Sequence, residues 1–524
     1  MDRNIFTDQD LKQMKEHGLT LEEVERELDL FKMPKPFLKL AEPCTVGNGI
    51  TVFDQEKMDS LCETYEREGP ARRCIKFVPA SGAASRMFKV LLRYLNQEKE
   101  ITKDAVIRDA SAGEGDAEAL LVFMEGLKGF AFFNELKSVL SDKGFSVNAL
   151  LEAGRFREIL HFLLTDDGLD YADLPKGLLK FHEYPEGSRT AFEEYLVEAA
   201  SYIAGADRRC LLHLTVSPEH LDGFDASFRK IRPIYEERYG VAYDISFSVQ
   251  EKSTDTLAVD LDNMPFRQRD GRLLFRPGGH GSLLKNLNHV DGDIIFIKNI
   301  DNVVPDHLKL ETFKWKKITG GYLISIQNQI LDYMERLISG DEDQRLFGEV
   351  STFLEETLLL PVPGIIKRAS TDAKRAYLMD RLDRPVRVCG MVRNVGEPGG
   401  GPFWVEDPAG ERSLQIVETA QIDLRSKDQQ DIFRASTHFN PVDLVCGIRD
   451  WQGRLFDLSR FVDPKTVFIS QKSKDGKELK ALEHPGLWNG SMARWITLFV
   501  EVPGITFNPV KTVNDLLRKE HQPG

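Results

Sequence analysis

The chain has 524 residues, 41% of them hydrophobic, which is enough to fill one large catalytic domain with additions or two to three ordinary domains. Its 83 acidic residues outnumber 69 basic ones for a net charge of −14, a field that repels a polynucleotide backbone, and no long Lys/Arg stripe offsets it. The six cysteines (Cys44, Cys62, Cys74, Cys210, Cys389 and Cys446) are scattered, without the paired spacing of a structural zinc site, and read as reduced thiols.

In chain order, the first stretch is polar and acidic and lacks the basic-then-apolar order of a signal peptide. No apolar run approaches the roughly 20 residues that span a bilayer, so a cytoplasmic location without membrane partners is expected. Thr20 and Glu23 form a capping-box pattern ahead of Leu21, Val24, Leu28 and Phe31, with Pro34 just beyond, and residues 1–70 read as a helical segment. The apolar run Cys74-Ile75-Lys76-Phe77-Val78 predicts a strand, followed by the small-residue turn from Pro79 to Ser85 and then Arg86 with apolar residues at helical spacing. Residues about 90–172 carry helix-like apolar faces and predict a helical insertion. Beyond it the pattern alternates: helix 189–203, strand 210–216, helix 219–239, strand 244–250, strand 293–299 and a helix near 321–339. Such alternation predicts a mostly parallel sheet covered by helices. A helical stretch at about 343–383 precedes a strand-rich part from Pro385, which divides the chain into 1–70, 71–342 and 343–524.

Several short motifs carry chemistry. Ser81-Gly82-Ala83 lies where a strand runs into a helix, a place that brings backbone N–H groups near phosphate, although such turns also serve packing alone. Pro175-Lys176-Gly177 reads as a turn with a lysine, Leu214-Thr215-Val216-Ser217 as a strand ending in hydroxyls, and Phe247-Ser248-Val249-Gln250 as a strand ending in an amide that can bond a base edge. In Arg276-Pro277-Gly278-Gly279-His280-Gly281-Ser282, three glycines in four positions permit close approach of backbone to a ligand. The buried strand ending Lys298-Asn299-Ile300-Asp301-Asn302 puts a carboxylate where open α/β sheets hold ligands and Mg²⁺.

This order of motifs resembles the UDP-sugar pyrophosphorylase family, the UDP-glucose and UDP-N-acetylglucosamine pyrophosphorylases. The glycine-rich loop, PK(S/G)L lysine, TS-type strand end, FxQ strand, GHG turn and xxDN strand of that family are matched by SGAASRM, PKGLL, LTVS, FSVQ, RPGGHGS and NIDN. Downstream, Gly396-Glu397-Pro398-Gly399-Gly400-Gly401 and Leu414-Gln415-Ile416-Val417-Glu418 resemble its EPxG and VVEY segments, Thr437-His438-Phe439-Asn440 loosely its NHFF segment, and Phe507-Asn508-Pro509-Val510-Lys511-Thr512-Val513-Asn514-Asp515-Leu516-Leu517 its FLPVKTTSDLL ending. The resemblance implies an α/β, Rossmann-like nucleotidyltransferase fold of the GT-A-like kind, with a nucleotide-binding half in 71–342 and a sugar-phosphate-side half in 343–524. It implies a pyrophosphorylase reaction: a nucleoside triphosphate, UTP above all, joined to a sugar 1-phosphate with Mg²⁺ as cofactor and release of pyrophosphate. Position by position, Ser81, Gly82 and Ala83 would bind nucleotide phosphates, Arg86 and Lys176 would neutralise the triphosphate, and Gln250 with Gly279 would read the base. His280 and Glu418 would face the sugar phosphate, Asp301 would hold the metal, and Lys511 would reach the phosphate undergoing substitution.

Two other readings stand beside this one. Asp260-Leu261-Asp262 offers a DxD-like metal motif to a glycosyltransferase of similar fold. Ala83-Ala84-Ser85 stands where the family's loop carries Gly-Thr, and this altered loop is compatible with a non-catalytic nucleotide-sugar-binding protein, against which Asp301 and Lys511 together argue.

Overall fold

The computed structural model describes residues 5–34, 37–82, 84–98, 101–339, 344–396 and 400–524. Their contacts gather into two compact units that interleave along the chain: Met1–Ile75, Ser248–Ile297 and Lys317–Pro503 form the first, and Lys76–Phe247, Lys298–Lys316 and Gly504–Gly524 the second. Division by contact therefore alternates where division by sequence span ran in three successive blocks.

In the first unit, helices Asp8–His17 and Leu21–Lys32 each start at a complete capping box, Thr7 with Asp10 and Thr20 with Glu23. A side-chain cap of this kind is worth about 1 kcal/mol, because it satisfies N–H groups the helix leaves open. The apolar faces so presented, Met14, Val24, Leu28 and Phe31, bury against Leu257, Val259, Leu273, Val467 and Leu482. The rest of the segment read as helical holds strands as well: Lys39–Pro43 pairs antiparallel with Gly401–Glu406, and Gly49–Thr51 pairs parallel with Ile496–Glu501. These strands are short, and their partners lie more than 350 residues away, so no local periodicity marks them.

The main sheet of this unit runs in the order Thr45–Val46, Gly49–Thr51, Ile496–Glu501, Val386–Arg393, Asp443–Gly447, Ile294–Lys298. Val386–Arg393 is parallel to Ile496–Glu501 and antiparallel to Asp443–Gly447 and to His438–Phe439, so the sheet is mostly parallel with antiparallel exceptions. Helix Gln55–Glu68 packs against Gly320 and Gly321, where an added Cβ would fall 1.9 Å from the Leu61 carbonyl oxygen and 2.6 Å from the Tyr65 ring. Only glycine permits that approach.

In the second unit, strands Cys74–Pro79, Arg209–Val216 and Ala242–Val249 lie side by side in that order. Helix Ala191–Tyr202 opens at a Thr190/Glu193 capping box, and helix Leu221–Tyr239 ends at Gly240 in the left-handed conformation, φ 61°. Among the described residues of 89–164 there are six α-helices, from Lys89–Asn96 to Phe156–Leu164. The helix expected near 321–339 begins at Asp306. Its first turns bury Lys309, Thr312 and Lys316, each 2% exposed or less, so the inward face is polar there and apolar periodicity fails to announce it. Among the described residues no helix is long and apolar enough to cross a membrane.

Candidate functional site

The second unit builds its site around one lysine. Strand Cys74–Pro79, buried along nearly its whole length, delivers the turn at Ser81 and Gly82. That turn is tied to the LTVS strand end, with the Ala80 N–H donating to the Thr215 carbonyl at 2.8 Å and Ser217 Oγ to the Ser81 carbonyl at 3.2 Å. The Lys176 N–H donates to the Gly82 carbonyl at 3.3 Å, so the PKG turn lies against the glycine. A Cβ at Gly82 would meet nothing within 4 Å, which leaves open space beside the turn. Ser81 and Arg86 are exposed, and Ala83 lies outside the described residues.

Lys176 Nζ donates to Asp301 Oδ2 at 2.9 Å and to the Val510 carbonyl at 2.8 Å. Both side chains are mostly buried, 13% and 20% exposed. The Val510 N–H in turn donates to the Asp301 carbonyl at 3.0 Å, and the Asn508 N–H donates to Asn302 Oδ1 at 2.9 Å. Two segments about 200 residues apart are thus stitched backbone to backbone, and Lys511 is the next residue along. The Lys511 and Thr512 N–H groups donate to the Asp515 carboxylate at 2.8 and 2.6 Å, closing a capping box that starts the turn Val513–Leu517. The structure therefore brings Gly82, Lys176, Asp301 and the chain carrying Lys511 into one place. Asn302, Asn508 and Asp515 escaped the sequence reading; the T-x-x-D spacing of Thr512 and Asp515 was the available signal for the last.

Beneath this site lies a buried charge cluster. Lys298, three residues before Asp301, donates to Glu198 at 3.0 Å, and Lys76 bonds both Glu198 and, at 2.6 Å, the Tyr202 hydroxyl. Burial pushes the Lys76 ammonium down to about 7, against the pull of Glu198. Burial alone would raise Glu198, but Lys298 and Lys76 hold its carboxyl below the usual carboxylate range. Tyr195 donates to the Asn299 carbonyl, fixing the strand end from the side.

The first unit holds the remaining predicted residues. Asn286 Nδ2 donates to Ser248 Oγ at 2.8 Å and to the Val249 carbonyl at 3.0 Å, anchoring the strand end that leads to half-buried Gln250. Gly279 has φ 75°, and a Cβ there would lie 2.6 Å from Glu483; at Gly281 it would lie 2.2 Å from the Pro485 carbonyl oxygen. These glycines let the turn pack on Glu483-His484-Pro485, a reason internal to the protein. His280 stacks on Trp488 with ring centroids 4.3 Å apart and accepts the Leu487 N–H at Nδ1, 3.1 Å. The neutral ring then carries its proton on Nε2, which faces Glu418 Oε1 at 3.6 Å. Asn489 Nδ2 donates to the same carboxylate oxygen at 2.9 Å. Burial works to raise Glu418, but the His280 contact wins and holds it below its ordinary value. Trp488 and Asn489 were missed; an aromatic next to an amide in LWNG gives no periodic signal.

The DxD-like run is accounted for locally. Asp260 Oδ1 accepts the N–H groups of Asp262 and Met264, both at 2.9 Å, and so shapes a turn. Glu397, Pro398 and Gly399 of the EPxG-like segment lie outside the described residues. Among the described residues no group of three or more His, Cys, Asp or Glu side chains could hold a metal by itself.

A family model described as "Domain of unknown function (DUF4301)" matches residues 7–522. No curated protein matches the chain. Among solved structures it is similar to a UDP-glucose pyrophosphorylase mutant from Leishmania major, with TM-score 0.43 and 11% identity over 97% of this chain and 77% of that one. It is also similar to the uridine diphosphate N-acetylglucosamine pyrophosphorylase from Trypanosoma brucei in complex with inhibitor, with TM-score 0.48 and 11% identity over 94% and 74%. A UDP-glucose phosphorylase from Trypanosoma brucei gives 0.42 and 12% over 97% and 77%.

Proposed function

The chain belongs to the DUF4301 family, and we propose that it is a Rossmann-like nucleotidyltransferase that joins a nucleoside triphosphate, UTP by preference, to a sugar 1-phosphate. The observation that carries this reading is the fork of Lys176, whose one ammonium holds both the Asp301 carboxylate and the carbonyl next to Lys511. Lys176 and Asp301, which the family resemblance marks for phosphate and metal, touch each other and the backbone just before Lys511, beside a turn with open space at Gly82. In an acidic chain a triphosphate needs cations gathered locally.

In the proposed reaction an oxygen of the sugar 1-phosphate attacks the α-phosphorus in line, a new P–O bond forms, and the bond to the β-phosphate oxygen breaks to release pyrophosphate. The attacking oxyanion is already nucleophilic, so the protein supplies alignment and charge neutralisation rather than a general base. Lys176 and Arg86 neutralise the triphosphate, Lys511 meets charge developing on the α-phosphate, Gln250 and the backbone at Gly279 read the base, and Glu418 with His280 takes sugar hydroxyls. For magnesium, the donor set fits: Asp301 Oδ1 has no hydrogen bond among the described residues, and Mg²⁺ in nucleotide enzymes is often held by one or two carboxylates plus substrate phosphates. When bound, the ion adds positive charge at the phosphates.

The test is pyrophosphate release on incubating the protein with Mg²⁺, each common triphosphate and a panel of sugar 1-phosphates. Release confined to particular pairs, and dependent on Mg²⁺, supports the reading. No release with any pair, or consumption of a preformed nucleotide-sugar with an acceptor instead, overturns it.

A further inference from the structure

The last residues of the chain form a strap that lies wholly within the second unit, and its seat is built from two elements the reaction itself does not use. The first is the helical insertion with the turn just ahead of it. Asn514 Nδ2 donates to the Ala119 carbonyl at 2.8 Å and Gln522 Nε2 to the Gly129 carbonyl at 3.2 Å, while the Val513 N–H donates to the Met87 carbonyl in that turn at 3.3 Å. Leu517 packs so closely on Gly126 that a Cβ there would stand 2.4 Å from its methyl. The second is a buried histidine pair. His182 Nε2 and His521 Nδ1 are 3.0 Å apart, and His182 Nδ1 is 2.9 Å from Glu194 Oε1. The three side chains are 2% exposed or less. Glu194 also accepts from the Tyr184 hydroxyl at 2.7 Å and from Lys309, with Arg189 3.5 Å away, and Arg189 and Lys309 both hold Asp306.

Proton positions follow from that chain. Glu194, surrounded by donors, is a carboxylate, so a neutral His182 donates its Nδ1–H to it and presents a lone pair at Nε2. His521 must then donate its Nδ1–H to His182. The pair is a directed hydrogen bond between a ring on the strand Lys180–His182 and a ring on the strap. Burial pushes His521 down to about 3, helped by His182 and Arg518, and burial lowers His182 as well, so both rings stay neutral at neutral pH.

We propose that His521 is a positioning residue: through its bond to His182, and with the helical insertion as cradle, it seats the strap so that the chain bearing Lys511 stays against Asp301. What Lys511 does there rests on the nucleotidyl-transfer reading; where the strap lies does not. A misplacement of about 1 Å in a phosphoryl-transfer site costs on the order of 10²-fold in rate.

The experiment compares the full-length protein with His521→Phe, which keeps a ring of similar bulk without the hydrogen bond, His521→Asn, whose amide can donate near the place of Nδ1, and a chain ending at Leu517. Peptide-resolved hydrogen exchange over residues 505–524 is read beside exchange in helix Ala191–Tyr202, which checks that the unit is folded. Expected for His521→Phe and the truncation are strap exchange faster by about tenfold or more with the helix unchanged, kcat lower by roughly 10- to 100-fold and KM for both substrates within about threefold. His521→Asn should recover part of both effects. Unchanged strap exchange in His521→Phe overturns the proposal, and so does a loosened strap with kcat intact. A wild-type protein that transfers no nucleotide fails the reaction proposed above, while the exchange comparison still decides the seat.

Discussion

The fork at Lys176 predicts a measurable coupling between two residues 125 positions apart. Lys176→Met keeps the aliphatic stem and deletes the ammonium, and Asp301→Asn keeps the shape and deletes the charge. Exposed ion pairs contribute about 0.2–1 kcal/mol, breaking a fully buried pair costs about 3–5, and a hydrogen bond to a charged group is worth about 1.5–3. With the side chains 13% and 20% exposed and the contact at 2.9 Å, this pair lies between those limits, and a coupling of about 2 kcal/mol is expected. Each single change should cost about 2–3 kcal/mol, since it strands the other partner, and the double change little more than either. Urea unfolding followed by peptide-resolved hydrogen exchange reads the second unit separately from the first, so that one two-state transition is analysed at a time. Additive single effects, with coupling below about 0.5 kcal/mol, would refute the fork as the organising contact.

Four further outcomes are expected. Lys511→Ala should lower kcat and kcat/KM together by on the order of 10²–10³, and Lys511→Arg should recover only part, because a planar guanidinium does not replace a compact ammonium; steady-state kinetics decide it. Gln250→Ala should change the preference among triphosphates more than the rate with the best one, measured as the ratio of kcat/KM values. Gly82→Ala should unfold like the parent but turn over more slowly, whereas Gly281→Ala should be destabilised, since its Cβ would sit 2.2 Å from the Pro485 carbonyl oxygen; thermal unfolding separates the two. Burial raises Glu27 to about 7 although it accepts the Leu257 N–H at 2.9 Å. A raised folded-state value means that its stabilising share is complete below pH 4.5 and is lost as pH climbs through 7, a change of about 3 kcal/mol at 1.36 kcal/mol per unit. Glu27→Gln should flatten the fall in unfolding free energy between pH 5 and 8, and an unchanged slope would remove Glu27 as its cause.

How far the fold could be read depended on whether each element buries a purely apolar face. Strands Cys74–Pro79 and Ile294–Lys298 are continuous buried runs, and helix Leu21–Lys32 carries both its cap and its stripe, so local pattern was sufficient. The start of helix Asp306–Ile338 failed the same test because Lys309 and Lys316 point inward and are stabilised by buried partners such as Glu194, a fact of tertiary structure with no signature in hydropathy. Strands Lys39–Pro43 and Gly49–Thr51 failed because their stabilisation comes from chain far away.

The site divides along the same line, and its glycines show why. Gly82 sits in a turn of small residues and Gly281 in a glycine-rich one, and both were read as places where backbone can approach a ligand. In the structure Gly82 faces open space, while Gly281 is pressed on Pro485 and Gly279 on Glu483 with φ 75°. A glycine in a turn does not say whether protein crowds its Cβ position or leaves it open; at Gly279 and Gly281 it is crowded by the segment Glu483-His484-Pro485, about 200 residues on. Lys176 was marked only through the family resemblance, since Pro175-Lys176-Gly177 by itself reads as a turn with a lysine. A cation in an acidic chain must be either solvated or matched, and Lys176 is matched twice, to Asp301 and to the carbonyl preceding Lys511. Its two partners come from the two segments that the family resemblance had marked, and the contact is between Lys176, the Asp301 carboxylate and the backbone just before Lys511. Trp488 and Asn489 had no such marker. Their importance lies only in holding His280 and Glu418 in place, and a residue that acts by holding another is visible once the two are seen to touch.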